Sequence, residues 1–195
     1  MSRTIQVFQV DAFTERLFTG NPAGVVLGGG SLSDDEMLAI ARELNNGDTA
    51  FVLPAEGTDH DLRVRFFTPR TESGFVGHAT VATHFVLSRL PGAPSRLRQR
   101  QKAGLVDVEV RGEGAGRRIA VRQSAPPLGR ELAERERLAV LDALALSSND
   151  LDPRCGMRIV GGAGNRLLIG VRGSHQLKAM KPDFARLSKI GRAHV

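Results

Sequence analysis

Two short segments carry the side chains that are best suited to acid–base chemistry. The segment GFVGHATVATHFVL, residues 74–87, places His78 directly after Gly77 at the start of a stretch without formal charge. The segment NNGDTAF, residues 45–51, places Asp48 on a glycine-flanked turn. Histidine titrates near neutral pH, and a positioned carboxylate can take up and return a proton. Asp48 can equally be a turn residue that hydrogen-bonds to its own backbone, so both interpretations stay open.

The uncharged segment predicts a helix that is buried on every side. A helix without a polar face must lie inside the protein, so a curved sheet wrapped around it is the simplest arrangement. The backbone N–H groups of its first turn then lack partners within the helix and lie at the positive end of the helix dipole, where a carboxylate or phosphate can bind. These groups belong to Gly77, His78, Ala79 and Thr80. The alternative is that His78 simply caps the helix, while His84 is expected to be a hydrogen-bonded core residue.

Patterns around these segments predict the elements that hold them. Short runs of alternating apolar residues predict strands, and Ser33 followed by Glu36 forms a capping box that opens an amphipathic helix. This helix is expected to end at residues 45–47, directly before Asp48. The glycine-rich RGEGAG, residues 111–116, predicts a hairpin turn and not a phosphate loop. The strand residues expected to face the buried helix are Val7, Val26, Val52, Val64, Phe66 and Val108.

Two domains are expected, residues 1–124 and 125–195. The boundary falls at QSAPPLG, residues 123–129, which combines two prolines with small residues. Beyond it, RELAERERLAVLDALAL predicts a helix over residues 130–146, followed by two strands separated by glycines and by a helical or turn-like end.

A Gly-Asn pair that occurs twice, each time before an apolar strand, supports two copies of one structural unit. Gly20-Asn21 precedes one apolar strand, and Gly164-Asn165 precedes another. The expected fold class is therefore α+β, with an antiparallel or mixed sheet around a central buried helix and with the second copy incomplete.

Composition and charge exclude several classes of protein. The 195 residues carry a formal charge of +6, but the densest basic cluster occupies every second position, as on one solvated face of a strand. No aromatic residue is interleaved for base stacking, so no nucleic-acid partner is expected. No apolar run approaches the roughly 20 residues that span a membrane, and the N-terminus lacks the apolar block of a signal peptide. The cluster is Arg96, Arg98, Arg100 and Lys102.

Cysteine and histidine usage argues against disulfide and metal chemistry. Cys155 is the single cysteine, so no internal disulfide framework is expected and the cytoplasm is the expected location. The five histidines show no metal-ligand spacing, so no metal site is expected.

Three segments, taken in order, resemble one known family. They are VFQVDAFTERLFTGNPAGVVL, LSDDEMLAIARELNNGDTAFVL and RVRFFTPRTESGFVGHATVATHFVL. Their order and spacing resemble the N-terminal half of the phenazine-biosynthesis isomerase-like (PhzF-like) family, which shares the diaminopimelate epimerase-like fold. The resemblance is strong over residues 5–87 and fainter over residues 158–189.

The resemblance implies a cofactor-free isomerase that moves a proton on a small cyclic carboxylic acid, such as dihydro-hydroxyanthranilate. It implies two similar domains with the active site in the cleft between them, and a homodimer when the protein is full length. Carried over to this sequence, the family's acid–base position falls on Asp48, and its Gly-His falls on Gly77 and His78. The expected substrate contacts are Gly77, Ala79, Asn21 in the family's GNP turn, and Asn165.

Two departures from the family pattern leave alternatives open. Asp48 stands where the family usually has Glu, which retracts the carboxylate by roughly 1.5 Å, and a displacement of that order can cost about 10²-fold in rate. The family's C-terminal acidic residue and Gly/Asp/Pro-rich motif have no counterpart, so the chain is expected to be C-terminally truncated and inactive by itself. The alternatives are a non-catalytic small-acid binding or interaction protein, or an inactive fragment of such an isomerase. The incomplete second sheet, through Leu167, Leu168, Ile169 and Val171, predicts self-association.

Overall fold

A computed structural model describes residues 4–123, 125, 127–161 and 166–192. The chain divides into two compact units, residues 1–123 and 124–195. The helices of the first unit are α1 (Asp34–Leu44) and α2 (Gly77–Leu87). Its strands are β1 (Gln6–Ala12), β2 (Asn21–Leu27), β3 (Asp48–Pro54), β4 (Leu62–Phe67), β5 (Glu72–Ser73), β6 (Arg96–Gln101), β7 (Gly104–Arg111) and β8 (Arg118–Arg122).

The strands of the first unit form one sheet in the order β1-β2-β3-β4-β6-β7-β8, with the short β5 paired to β4. The β2–β3 and β4–β6 pairs are parallel, and the remaining pairs are antiparallel. Helix α2 contacts both edge strands, β1 and β8, as well as strands between them. Because one helix touches both edges, the sheet curls around α2, as the uncharged sequence predicts.

The core beneath α2 is made of small and medium-sized side chains. Ala79 and Ala82 of the helix pack against Ala23, Val25 and Ala50 of the neighbouring strands. The small residues let the helix and the sheet approach closely, which fits a helix enclosed by strands. His84 is also buried here, and its Nε2 lies 2.9 Å from Oε1 of Gln99. The prediction of a hydrogen-bonded core histidine is confirmed.

Helix α1 covers the opposite face of the sheet. The predicted capping box is present, since the Ser33 hydroxyl accepts from the Glu36 N–H at 3.3 Å and the Glu36 carboxylate accepts from the Ser33 N–H at 2.8 Å. Asn45, in the left-handed conformation, ends the helix. The apolar stripe of α1 packs on this face of the sheet through Met37 and Ala41.

The predicted inward-facing residues are partly wrong because the central strands are covered on both faces. Val64 and Phe66 lie in the core beneath α2, as expected. Val26 is also buried, but it packs on the α1 side with Met37. Val7, which lies opposite Val26 on the edge strand, is 40% exposed.

The second unit contains a small antiparallel sheet in the order β11-β10-β9. The helix predicted over residues 130–146 begins later, because residues 128–131 pair with β10 as a strand. Val140 and Leu141 of α3 pack against Met157 of β10. The elements are β9 (Leu128–Glu131), α3 (Glu134–Ala143), β10 (Met157–Val160), β11 (Arg166–Ile169), α4 (Ser174–Ala179) and α5 (Phe184–Arg192).

The basic cluster on β6 is neutralised by neighbouring carboxylates. Arg96 and Arg98 lie 3.2 and 2.9 Å from Glu109 and Asp107 of β7. Arg100 pairs with Asp59 in the same way. This face of the sheet therefore carries alternating charges instead of a continuous positive surface.

Within the described part of the chain, every helix is too short or too polar to cross a membrane.

Candidate active site

Asp48 is placed at the edge of the buried core by strand pairing. It begins β3, directly after the turn that ends α1. β2 and β3 run parallel, and Ala23 of β2 lies opposite Asp48. Ala50, two residues after Asp48, is buried beneath α2. Because alternate residues of a strand point to the same face, Asp48 lies on the α2 side of the sheet.

His78 lies in the first turn of α2, close to Asp48. Its Nε2 atom is 3.9 Å from Oδ2 of Asp48, and the two side chains are 14% and 17% exposed. This distance suits an ion pair but exceeds that of a hydrogen bond. The Nε2 atom is buried, and no hydrogen-bond partner for it occurs among the described residues. The arrangement therefore holds two titratable groups close together and shielded from water.

The environment of Asp48 favours its neutral form more than water does. Burial raises the pKa of the Asp48 carboxyl, and this is the largest influence on it. The nearby His78 and a hydrogen bond from the Ser73 side chain act in the opposite direction. A carboxyl with a raised pKa is better matched to acid–base work near neutral pH.

The start of α2 is an uncapped helix terminus. Val76 is the N-cap residue and supplies no side-chain hydrogen bond. The first backbone bond of the helix runs from the Thr80 N–H to the Val76 carbonyl at 2.9 Å. The expectation of four available N–H groups is therefore wrong at Thr80, and the groups that precede the helical bonds are those of Gly77, His78 and Ala79. His78 is not the N-cap residue, which is Val76, and its Nε2 bonds to no described group.

The remaining predicted site residues are placed differently from one another. Asn21 begins β2, two residues before Ala23, so it shares the α2 face with Asp48 at the same end of two parallel strands. Ala79 is fully buried, its backbone included, so it offers no exposed group to a ligand in this structure. Asn165 lies outside the described residues. The structure thus brings Asn21, Asp48 and the start of α2 to one end of the sheet.

Gly77 is not required by the fold itself. A Cβ atom built at Gly77 would meet only the Phe75 ring, at 3.9 Å, which is ordinary van der Waals contact. The absence of a side chain instead lets a ligand approach the backbone closely at this position.

Sequence reasoning missed Ser73, which lies on the two-residue strand β5 and whose hydroxyl lowers the pKa of the Asp48 carboxyl. A strand this short has no periodic signal. No group of three His, Cys, Asp or Glu side chains suited to a metal ion occurs within the described part of the chain. Surface pockets of about 720 and 1210 Å³ are lined by other parts of the first unit, so the Asp48–His78 pair is separate from them.

Together, a sheet curled around a buried helix and a titratable pair at the start of that helix define an epimerase-like α+β protein. The chain shares this fold with a hydroxyproline epimerase from Agrobacterium vitis, at a TM-score of 0.51 and 13% identity. The chain belongs to the phenazine biosynthesis-like protein family (PhzC-PhzF), whose family model matches residues 10–195.

Solved structures and curated proteins agree with this assignment. A PhzF-family phenazine biosynthesis protein from Bacillus anthracis superposes with a TM-score of 0.78 at 31% identity, over 93% of this chain and 60% of that one. An uncharacterized isomerase from Clostridium acetobutylicum is 34% identical over 98% of this chain. The uncharacterized isomerase YddE from Salmonella typhimurium is 37% identical over 95% of this chain. The chain spans 64% and 62% of the lengths of these two relatives.

Proposed function

We propose that this protein is a cofactor-independent isomerase that shifts a proton on a small, cyclic carboxylic acid. The observation that carries the proposal is the Asp48–His78 pair, whose facing atoms lie 3.9 Å apart at an uncapped helix start. The family assignment and the relatives named isomerases support the reaction class. The substrate class comes from the family resemblance and from the anion-binding character of the helix start.

Asp48 acts as the general base in this mechanism. It removes a proton from a carbon next to the substrate carboxylate, and it returns the proton at another position. The raised pKa of the Asp48 carboxyl favours both steps, because a group that takes up a proton must also release it near the working pH.

The start of α2 stabilises the negative charge that develops during this transfer. The N–H groups of Gly77 and His78 bind the substrate carboxylate or the enolate-like oxygens. His78 Nε2, which is buried without a partner, hydrogen-bonds to the substrate or exchanges a proton with Asp48. A shift of about 1 Å would bring these two groups within hydrogen-bonding distance.

Solvent deuterium uptake tests the proposal. A protein restored to the full length of the relatives is incubated in D₂O with a panel of small cyclic carboxylic acids, including dihydro-hydroxyanthranilate, and each acid is examined by NMR for exchange of a carbon-bound proton. We expect exchange of at least one acid by the wild-type protein and loss of exchange in the Asp48→Asn variant. Turnover that is undiminished in this variant would remove Asp48 from the mechanism.

A second candidate function is non-catalytic binding of a small acid. Two observations favour it: Asp48 is one methylene shorter than the family's usual Glu, and it makes no hydrogen bond to His78. A binding protein would show saturable binding of an acid by calorimetry, at the same site and with dependence on Gly77, but without deuterium uptake.

The proposal for the whole protein also includes its assembly and its location. The family resemblance supports a homodimer with a small acid as substrate, and the single cysteine supports a cytoplasmic location. Sedimentation velocity of a chain with the full length of the relatives measures the oligomeric state directly. A monomer at micromolar concentration would contradict the proposed homodimer.

A further inference from the structure

We propose that a pocket at the C-terminal end of α2, lined by His84 and Leu87, binds a small, neutral, mostly apolar molecule that donates one hydrogen bond to Nδ1 of His84. The pocket has a volume of about 290 Å³, close to the lower end of the roughly 300–1,000 Å³ that ligand pockets occupy. His84 follows His78 by six residues, or roughly 9 Å along the helix. The site is therefore separate from the candidate active site, and it does not rest on the proposed function.

The walls of this pocket favour an uncharged ligand. Leu62 of β4, Leu97 of β6 and Val110 of β7 come from the sheet, while Leu87 ends α2 and residues 91–94 belong to the connection that follows it. Within the described part of the chain, every side chain that lines this pocket is uncharged when the histidine is neutral. The two larger pockets of the first unit contain arginine and acidic side chains instead. A charged ligand would lose its hydration in the small pocket without gaining an ionic partner.

The hydrogen bonds around His84 determine which ring nitrogen carries the proton. The Gln99 amide nitrogen donates to Oε1 of Gln101 at 2.9 Å, and Oε1 of Gln99 lies 2.9 Å from Nε2 of His84. A carbonyl oxygen only accepts, so Nε2 carries the ring proton. In a neutral imidazole the other nitrogen, Nδ1, is then an acceptor. Burial lowers the pKa of His84, which keeps the ring neutral near pH 7.

Nδ1 of His84 needs a donor that the described part of the chain does not supply. This nitrogen is buried, and no hydrogen-bond partner for it occurs among the described residues. The nearby Ser88 hydroxyl also lines the pocket, but it donates its proton to the Phe85 carbonyl at 2.7 Å. A buried acceptor without a donor is unfavourable, and proteins rarely leave one. A ligand with one O–H or N–H group would satisfy Nδ1 while its apolar part covers the walls.

The test compares phenol with toluene, which have nearly the same shape and differ in the hydroxyl. The 195-residue chain is labelled with nitrogen-15 histidine and titrated with each compound, and long-range proton–nitrogen NMR spectra follow the His84 ring, assigned by comparison with His84→Gln. In the free protein, we expect a proton on Nε2 and none on Nδ1. Phenol should move the Nδ1 resonance to lower frequency, because this nitrogen accepts its hydrogen bond. It should also bind about three- to tenfold more tightly than toluene.

Three variants separate the acceptor from the apolar walls. A pocket without an acceptor would favour toluene, since phenol must lose the hydration of its hydroxyl on entering, so His84→Phe should reverse the preference. Ala93→Trp, at a partly buried position of the pocket, should weaken phenol binding and keep the proton on Nε2 of His84. Ala185→Trp, exposed in α5 of the second unit, is the matched control and should bind phenol as the wild type does.

The titrations of the wild-type chain decide the matter even where a variant does not fold. A proton on Nδ1 in the free protein would overturn the inference, and so would tighter binding of toluene than of phenol. Binding of neither compound at millimolar concentration would overturn it as well. Phenol binding that leaves the Nδ1 resonance unchanged, or that persists in Ala93→Trp, would contradict the proposed site.

Discussion

Replacing Asp48 by Asn should separate catalysis from stability. Removing a general base costs about 10²–10⁴-fold in rate, so kcat for any exchanged acid should fall by that factor in the Asp48→Asn variant. The fold should survive, because Asn has nearly the same shape as Asp. The substitution also breaks no hydrogen bond to His78, since the facing atoms of the two side chains are 3.9 Å apart. We expect activity to be lost while stability at neutral pH increases.

The sign of the stability change follows from the pKa of Asp48. Burial raises the folded-state pKa above the unfolded value, so the folded state binds the proton more tightly. The favourable contribution of Asp48 is fully present below the unfolded pKa, and it is lost as the pH rises through the folded pKa. An amide does not titrate, so Asp48→Asn should be more stable than wild type at pH 7. The gain should be about 0.5–2 kcal/mol, as for other substitutions that relieve a strained site.

Urea unfolding followed by circular dichroism measures this difference, because the chain has no Trp or Tyr for fluorescence. The gap between variant and wild type should shrink as the pH falls from 7 toward 4. Glu113→Gln, which removes an exposed carboxylate in the turn before β8, is the matched control and should show no such trend. A variant that is less stable than wild type at pH 7, or a gap that does not change with pH, would refute the reasoning.

Three further predictions concern other parts of the molecule. Gly77→Ala should leave the thermal midpoint unchanged within about 2–4 °C, because the added Cβ contacts only Phe75. The same Cβ should weaken binding of a small acid in calorimetry, because it hinders close approach to the backbone at the start of α2. A large loss of stability would contradict this. Burial lowers the pKa of His84, so wild-type stability should fall as the pH drops below the ordinary histidine pKa, and His84→Gln should flatten that slope in urea titrations. Leu168, 54% exposed on edge strand β11, should promote self-association, and Leu168→Lys should reduce the sedimentation coefficient at high concentration; a monomeric wild-type chain would rule this out.

The parts of the fold that the sequence predicts well are those set by local patterns. The burial of α2 follows from its lack of any charged residue, and the start of α1 follows from the Ser33–Glu36 pair. Both depend on residues within one turn or one helix face. Asp48 and His78 were predicted as site residues for similar reasons, with the family resemblance deciding between the site and its alternatives.

The errors arise where long-range pairing overrides a local pattern. β2 is apolar at consecutive positions because α2 covers one face and α1 covers the other, so an alternating pattern cannot assign Val25 and Val26 to a side. The segment after residue 130 has strong helix formers, but pairing with β10 takes residues 128–131 into a strand. Ser73 was missed because only the pairing of β5 with β4 places it on the same face of the sheet as Phe66.

The start of α2 links the fold to the proposed chemistry. Folded proteins normally satisfy the N–H groups of a helix start with a cap, and they normally pair a buried histidine nitrogen. Here the N-cap is Val76, which has no side-chain acceptor, and His78 Nε2 has no described partner. Both unsatisfied features lie beside Asp48, whose own burial is unfavourable when it is ionised. The uncapped N–H groups, the unpaired His78 nitrogen and the buried Asp48 carboxyl each destabilise the fold, so stability does not explain their presence at one end of one helix. A bound carboxylate would accept hydrogen bonds from the N–H groups and from His78 at once.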